Sequence, residues 1–199
     1  MAILAKRFWR EIICRRGNFP AVGLIAAALL VAGESPAPAQ KAPTPEYQLK
    51  AVFLFNFAEF VEWPTNAFAG ADSPLVIGVL GADPFGPQLD ATVRDEKING
   101  RSLQVQRYRR VEDIGACHIL FISRSESPRL EPILASLKGR SILTVSDVDN
   151  FASRGGMIRF VTDKNKIRLR INLEVAKAAN LTISSKLLRP AEIVGSGKD

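Results

Sequence analysis

Few segments of this chain have the residue types and spacing that catalysis or nucleotide binding requires. The segment Gly-Ala-Asp-Pro-Phe-Gly at residues 81–86 has the glycine spacing of a phosphate-binding loop between a strand and a helix. Such a loop continues with a lysine and a serine or threonine, whereas Pro87 and Gln88 follow here. Because the lysine that reaches the phosphates is missing, the segment predicts an ordinary strand-to-helix turn.

The histidine and cysteine content argues against an active site or a metal centre. His118 is the only histidine, and Cys117 is the only cysteine after the first 39 residues. A structural zinc site needs about four ligands of these types, and a nucleophile needs a neighbouring base. We therefore expect no enzyme, no metal and no cofactor. Cys117 is the first residue of an apolar run, which predicts a buried thiol. Because it is the single cysteine of the predicted mature chain, no internal disulfide is expected.

Small polar residues at the ends of predicted strands form the one candidate binding site. In a parallel sheet these residues would gather beyond the carboxyl ends of the strands, where open α/β sheets bind ligands. The same residue types are typical of any loop from a strand to a helix, so ligand binding is one of two interpretations. The candidates for this ligand crevice are Asp83, Ser123, Ser146 and Asp147.

The elements that would position these residues alternate between strands and helices. Short continuous apolar runs predict strands buried on both faces, and Asp-Pro and Ser-Pro pairs predict helix starts. This order predicts an α/β three-layer sandwich, with a mainly parallel central sheet, an antiparallel edge hairpin and helices on both faces. The predicted strands span residues 75–80, 103–108, 117–123, 142–145, 157–161 and 166–171, and the predicted helices 46–64, 83–93, 127–138 and 173–180.

The segment EYQLKAVFLFNFAEFVEWP, residues 46–64, holds six of the aromatic residues of the chain. It predicts a helix that is buried over most of its circumference. Asn56, Glu59 and Glu62 recur at three-residue steps and would form its polar stripe, and Pro64 would end it. An alternation of phenylalanines would also suit a strand, but the length of the segment favours a helix.

Residues 1–39 have the three parts of an export signal. A basic stretch from Lys6 to Arg16 precedes an apolar run at residues 21–32, and Ala37-Pro38-Ala39 fits a cleavage site before Gln40. The apolar run is too short for a membrane span, which needs about 20 residues. We therefore predict a periplasmic protein without direct membrane insertion after cleavage. The predicted organisation is a cleaved signal peptide at 1–39, a flexible lead-in at 40–45, a single α/β domain at 46–194 and a disordered tail at 195–199.

The formal net charge of +7 does not indicate nucleic-acid binding. Five of the cations stand in the predicted signal peptide, and the surplus that remains is ordinary for a soluble protein. Arg168 and Arg170 alternate on the second strand of the predicted hairpin, so both face the same side. They suit either a solvated face or contact with an acidic partner.

Several segments, in this order, resemble the YfiR-like family of exported bacterial proteins. They are EYQLKAVFLFNFAEFVEWP, LVIGVLGADPFG, INGRSLQV, CHILFIS, LTVSDVDNFASRGGMIRFV and INLEVAKAANLTISSKLLRPA. The resemblance extends over nearly all of residues 46–194. The best-studied members of this family are periplasmic repressors that bind the periplasmic sensor domain of an inner-membrane diguanylate cyclase and hold it inactive.

The resemblance implies a regulatory protein that lowers cyclic-di-GMP and biofilm formation and performs no catalysis of its own. Members of the type studied are α/β proteins that can form homodimers. Some contain disulfides that respond to the envelope redox state, which the lone Cys117 does not allow here. The partner or dimer surface implied for this chain includes Phe57, Phe60, Trp63, Arg168 and Arg170. The alternative function is a periplasmic sensor module that binds a small solute in the strand-end crevice.

Overall fold

The computed structural model describes residues 44–164, 166–195 and 197. The predicted signal peptide lies outside the described residues, as do most of the predicted lead-in and most of the tail. No helix in the described ranges has both the length and the apolar character that crossing a bilayer requires.

Helix α1, Pro45–Phe60, opens the described chain. Pro45 stands in the first turn, where the missing N–H is not needed by the helix. The sequence predicts that this helix ends at Pro64, but it ends at Phe60 because the next two residues pair with a distant strand. Strand β1, Val61–Glu62, is antiparallel to β9, Thr182–Ile183. Glu62 therefore lies on a strand, and its predicted place on the polar stripe of the helix is wrong.

The remaining elements alternate between strands and helices along most of the chain. In chain order they are β2, Leu75–Leu80; α2, Pro87–Val93; β3, Lys97–Ile98; β4, Arg101–Tyr108; β5, Ile119–Ile122; α3, Leu130–Ser136; β6, Leu143–Ser146; β7, Ile158–Asp163; β8, Lys166–Asn172; α4, Leu173–Ala178; α5, Ser185–Leu188; and β10, Glu192–Val194. A 3-10 helix at Arg124–Arg129 leads directly into α3.

Eight strands of the described chain form one mixed sheet, in the order β10-β8-β7-β6-β5-β2-β4-β3. Strands β4, β2, β5, β6 and β7 run parallel to one another, whereas β8 is antiparallel to β7 and the short β3 is antiparallel to β4. Every residue of β2, β5 and β6 is buried, which explains the continuous apolar runs of β2 and β5. The predicted α/β fold class is confirmed. Strand β10 lies outside the hairpin and pairs in parallel with β8, a feature that the sequence did not indicate.

The side chains of β5 show how helices cover both faces of the sheet. Ile119 and Phe121 point into a core that also contains Leu54 and Phe57 of α1. Leu120 and Ile122 point to the opposite side, into a second cluster with residues of α3. Because alternate residues of a strand face opposite sides, the two clusters make the sheet the middle of three layers.

Candidate functional site: the strand-end crevice

Asp147 follows the last residue of β6 and lies at the centre of a buried polar cluster. Only 2% of its surface is exposed. Its Oδ2 accepts a hydrogen bond from Lys50 Nζ at 2.6 Å and another from the Tyr47 hydroxyl at 2.8 Å. The Nε of Arg124 lies 3.2 Å from the other carboxylate oxygen, Oδ1. These residues and Glu46 are called the Asp147 cluster below.

Helix α1 supplies three members of the Asp147 cluster from its first two turns. Lys50 lies on the same face as Leu54 and Phe57, at the helical spacing that points toward the sheet, and is only 1% exposed. Its Nζ also lies 2.6 Å from the carboxylate of Glu46, one turn earlier. The ammonium sits over the ring of Tyr47, 4.4 Å from the ring centre. The buried charge is thus compensated by two carboxylates and an aromatic face.

Burial and pairing act in opposite directions on the acid groups of the cluster. Burial alone raises the pKa of Asp147, but the Lys50 hydrogen bond and charge, the Tyr47 hydroxyl and the Arg124 charge outweigh it and leave the pKa lowered. The hydrogen bond from Lys50 likewise lowers the pKa of Glu46. Burial, followed by the bond to Asp147, raises the pKa of Tyr47. The cluster therefore holds two carboxylates in the charged form and one phenol in the neutral form.

A cavity of about 200 Å³ opens beside the Asp147 cluster and is called the strand-end crevice here. It exists because β7 continues after its neighbour stops: β6 and β7 pair only at Val145–Ile158 and Ser146–Arg159. The next three residues of β7, Phe160, Val161 and Thr162, line the opening. The other lining residues are Glu46, Arg124, Asp147, Asp149 and Arg159.

Three carboxylates and two guanidinium groups line the strand-end crevice, and the ammonium of Lys50, which pairs with Asp147 and Glu46, compensates the third negative charge. Asp149 pairs with Arg159 at 2.5 Å, and Glu46 accepts a hydrogen bond from Thr162 at 2.8 Å. Oδ1 of Asp147 has no hydrogen-bond donor among the described residues, since the approach of Arg124 lacks the required geometry. The crevice thus offers a buried acceptor beside a guanidinium. This arrangement suits binding of a small polar solute and provides no nucleophile.

The other three residues that the sequence assigned to the crevice do not line it. The Ser146 hydroxyl donates to the Ile122 carbonyl at 2.6 Å and accepts from the Val148 amide at 3.1 Å, so it joins adjacent strand ends. Ser123 is buried, and its amide donates to the Leu80 carbonyl. Both serines are structural in the folded chain.

Asp83 lies in the loop after β2 and has local partners. Its Oδ1 accepts from the Phe85 amide at 2.7 Å, and its Oδ2 pairs with Arg107 Nε at 2.7 Å. The space between the ends of β2 and β5 is filled, because a Cβ placed on Gly81 would lie 2.4 Å from Ser125 Oγ. The Ala82 amide donates to the same oxygen at 3.0 Å. The space beside the loop after β2 is therefore filled by side chains of neighbouring residues.

The structure separates the five residues assigned to a partner surface. Phe57 is fully buried and stacks on Phe160 with ring centres 5.8 Å apart, so it belongs to the core and not to a surface. Phe60 and Trp63 are half-buried, and the Trp63 indole donates to the His118 carbonyl at 3.2 Å. Each of these three aromatics contributes to the packing of the monomer.

Arg168 and Arg170 lie on one face of β8, as predicted from their alternation. Arg168 is 67% exposed and lies 3.8 Å from Asp163. Arg170 is half-buried and pairs with Glu192 of β10 at 3.0 Å. This face of the hairpin thus carries one well-exposed guanidinium beside one that is already paired.

His118 and Cys117 are both buried at the start of β5. The His118 Nδ1 accepts a hydrogen bond from the Val76 amide at 3.0 Å, and its ring stacks on Phe68. Burial lowers the pKa of His118 and raises the pKa of Cys117 to about 12. The thiol is therefore protonated at neutral pH. Across the described ranges, no cluster of three or more His, Cys, Asp or Glu side chains could hold a metal ion.

Sequence reasoning found Asp147 but missed its partners on α1. Lys50 is the only basic residue in α1, and it lies on the face that carries Leu54 and Phe57. A lysine on the buried face of an apolar helix requires a buried carboxylate, and this signal was available in the sequence. Arg124 gave no such signal, because exposed arginines are common after strands.

The comparisons with known proteins identify one family. A family model described as YfiR/HmsC-like matches residues 47–192, which extend from the first turn of α1 to the first residue of β10. The matched range includes every member of the Asp147 cluster except Glu46. No curated protein matches the chain.

Proposed function

The chain belongs to the YfiR/HmsC-like family, and from this premise we propose that it is a periplasmic regulatory protein acting by protein–protein contact. Its partner is the periplasmic sensor domain of an inner-membrane diguanylate cyclase, which it holds inactive. The result is less cyclic-di-GMP and less biofilm. The observation that carries this proposal is the match of the family over residues 47–192, which covers nearly all of the described chain.

Two exposed surfaces supply chemistry for such contact. On α1, Leu49 and Val52 are 45% and 43% exposed, one turn apart on the face away from the sheet. On β8, the side chain of Arg168 is 67% exposed and lies 3.8 Å from Asp163. Protein interfaces favour apolar residues at the centre and arginines for polar contacts. We assign Arg168 and Arg170 to contact with an acidic surface of the partner, and Leu49 and Val52 to contact with an apolar surface of the partner.

Deletion of the gene tests the regulatory role. We expect cyclic-di-GMP to rise on deletion and to return to its original level when the full chain is supplied from a plasmid. The full chain should also capture the membrane cyclase by affinity purification from solubilised membranes. A deletion that leaves cyclic-di-GMP unchanged would show that the proposed function is wrong.

A charge reversal tests the surface separately from the role. Arg168→Glu should weaken capture of the cyclase and raise cyclic-di-GMP. The matched control is Arg110→Glu, because Arg110 is 68% exposed and also pairs with one nearby carboxylate, Asp113. Equal capture by both variants would remove Arg168 from the interface and leave the role itself intact.

Binding of a small solute in the strand-end crevice is a second candidate function. It is favoured by the buried Oδ1 of Asp147, which lacks a donor among the described residues. The guanidinium of Arg124 lies 3.2 Å from this oxygen but is not aligned to donate to it, so a solute that donates a hydrogen bond there would stabilise the fold. We expect one of a panel of amino acids, sugars and polyamines to raise the melting temperature of the purified chain, since a ligand that binds the folded state must stabilise it.

Arg124→Gln should abolish that stabilisation, because Arg124 lines the crevice and its side chain is 64% exposed. Arg94→Gln on the surface after α2 is the control and should leave it unchanged. A panel in which no solute raises the melting temperature would reject this second function.

A further inference from the structure

A larger cleft lies between α3, the start of β6, the loop before β7 and α4. Its volume is about 630 Å³, within the range of about 300–1,000 Å³ typical of small-molecule sites. It shares no lining residue with the strand-end crevice. We propose that this cleft, called the α3–α4 cleft below, binds an amphipathic monocarboxylate such as a medium-chain fatty acid.

The walls of the α3–α4 cleft are mainly apolar. They are formed mainly by Leu134, Leu137, Ile142, Met157, Val175 and Ala178. The hydroxyl of Thr144 also lines the cleft, but its oxygen already accepts a hydrogen bond from the Met157 amide at 3.1 Å. The interior therefore favours hydrocarbon over a polar solute, because a buried polar group without a partner is costly.

Of the three charged residues that line the α3–α4 cleft, two pair with each other and the third is a lysine. Arg154 donates from Nε to Glu131 at 2.8 Å and lies 2.7 Å from it through Nη2, so these two charges compensate each other. Lys138 is exposed, and no carboxylate among the described residues pairs with it. An apolar cleft with one spare ammonium group is complementary to an alkyl chain that ends in one carboxylate.

The end of α3 opposes this attraction only weakly. Carbonyl groups at a helix C-terminus carry partial negative charge and repel anions. The carbonyls of Leu134 and Ala135 already accept from the amides of Leu137 and Lys138, each at 3.3 Å. The full charge of Lys138 therefore dominates the field that a carboxylate head would meet.

Titration of the purified chain with three ligands of equal alkyl length tests this proposal. Decanoate and decyltrimethylammonium would be added below their micellar concentrations, and decanol below its solubility limit. Binding would be followed by calorimetry and thermal unfolding. We expect decanoate to bind most tightly and to raise the melting temperature, decanol to bind more weakly, and the cation to bind weakest. Absence of decanoate binding, or preference for the cation, would overturn the proposal.

Two variants locate the site. Lys138→Glu should weaken decanoate binding about tenfold, the loss expected for a partly solvated ion pair, and should leave decanol binding unchanged. Lys97→Glu on β3 is its control.

Ala178→Trp should fill the cleft and abolish binding of both ligands, whereas Ala91→Trp, on the exposed side of α2, should not. Unchanged decanoate binding in both cleft variants would place the ligand elsewhere and overturn the proposal. None of these measurements involves a cyclase, so their outcome is independent of the regulatory function.

Discussion

Two loops at the same end of the sheet each carry an aspartate, and the two aspartates differ in where their hydrogen-bond partners lie along the chain. In the loop after β2, residues 81–86, Asp83 is bonded to the amide two residues later and to Arg107, 24 residues away. In the loop after β6, residues 147–149, Asp147 is bonded to Lys50 and Tyr47, which lie 97 and 100 residues away. The first loop is held by local partners and the second by the first helix of the domain.

The difference extends to burial and to open space. The Arg107–Asp83 pair is partly solvated, whereas Lys50 and Asp147 are almost completely buried. Ser125 and Glu126 fill the space beside the β2 loop, whereas a cavity remains beside the β6 loop. The β6 loop thus combines buried long-range pairing with an adjacent polar recess, whereas the β2 loop combines partly solvated pairing with filled space. The buried pair also ties α1 to the end of the sheet.

Removing the cation from each loop should give the largest contrast between them. Lys50→Met leaves Asp147 and Glu46 without their shared ammonium, and breaking a buried pair in this way costs about 3–5 kcal/mol. Arg107→Met removes a partly exposed partner of Asp83 and should cost about 1 kcal/mol or less. The free energy of unfolding in urea measures both losses.

A double variant separates the lost pairing from lost packing. Replacing both partners, Lys50→Met with Asp147→Leu, removes the buried charges together and should recover most of the stability that Lys50→Met loses. If the double variant is no more stable than Lys50→Met, the buried pair is not what makes the β6 loop sensitive.

The β2 loop should instead be sensitive to added volume. Gly81 has a φ of 89°, and a Cβ there would collide with Ser125 and Glu126. The left-handed conformation costs a non-glycine residue about 1–2 kcal/mol, and overpacking adds to it, so Gly81→Ala should lose about 3 kcal/mol. Gly100→Ala shares the positive φ but meets nothing within 4 Å and should lose only about 1 kcal/mol. Equal losses in urea unfolding would show that the space beside the β2 loop is not tightly filled.

The sheet was predictable because its central strands are buried on both faces. The runs at residues 75–80 and 119–122 consist of apolar residues and glycine, and such runs leave little choice of environment. The end of α1 was not predictable in the same way. Val61 leaves the helix to pair with Ile183, and a partner more than 100 residues away has no local signal in the sequence.

The candidate site was predictable only in part, for a related reason. Asp147 follows a buried strand, and the position of strand ends in α/β sheets indicates a crevice. The choice among four such residues depends on what each loop meets in space. Ser146 bridges two strand ends and Asp83 binds Arg107, and neither contact follows from spacing along the chain. Lys50 was the one partner whose burial the helical pattern could have indicated.

The smallest contrast concerns acid stability, and it measures the charges that Lys50 stabilises, chiefly that of Asp147. The lowered pKa of Asp147 means that its ionised form stabilises the fold at pH values above its unfolded pKa of about 3.9. This contribution is lost as the pH falls through the folded-state pKa, because the unfolded chain then binds more protons than the folded one.

Urea unfolding between pH 7 and pH 3 should therefore show a smaller acid loss in the Lys50→Met, Asp147→Leu double variant than in the original chain. Asp90 also has a lowered pKa, caused mainly by its bond to Arg107 on the other loop, and it remains in both proteins. Its contribution cancels in the difference, so what remains belongs to Asp147 and to Glu46, whose pKa Lys50 also lowers. Parallel acid profiles for the two proteins would mean that neither carboxylate is better stabilised in the folded state than in water, and packing alone would then distinguish the two loops.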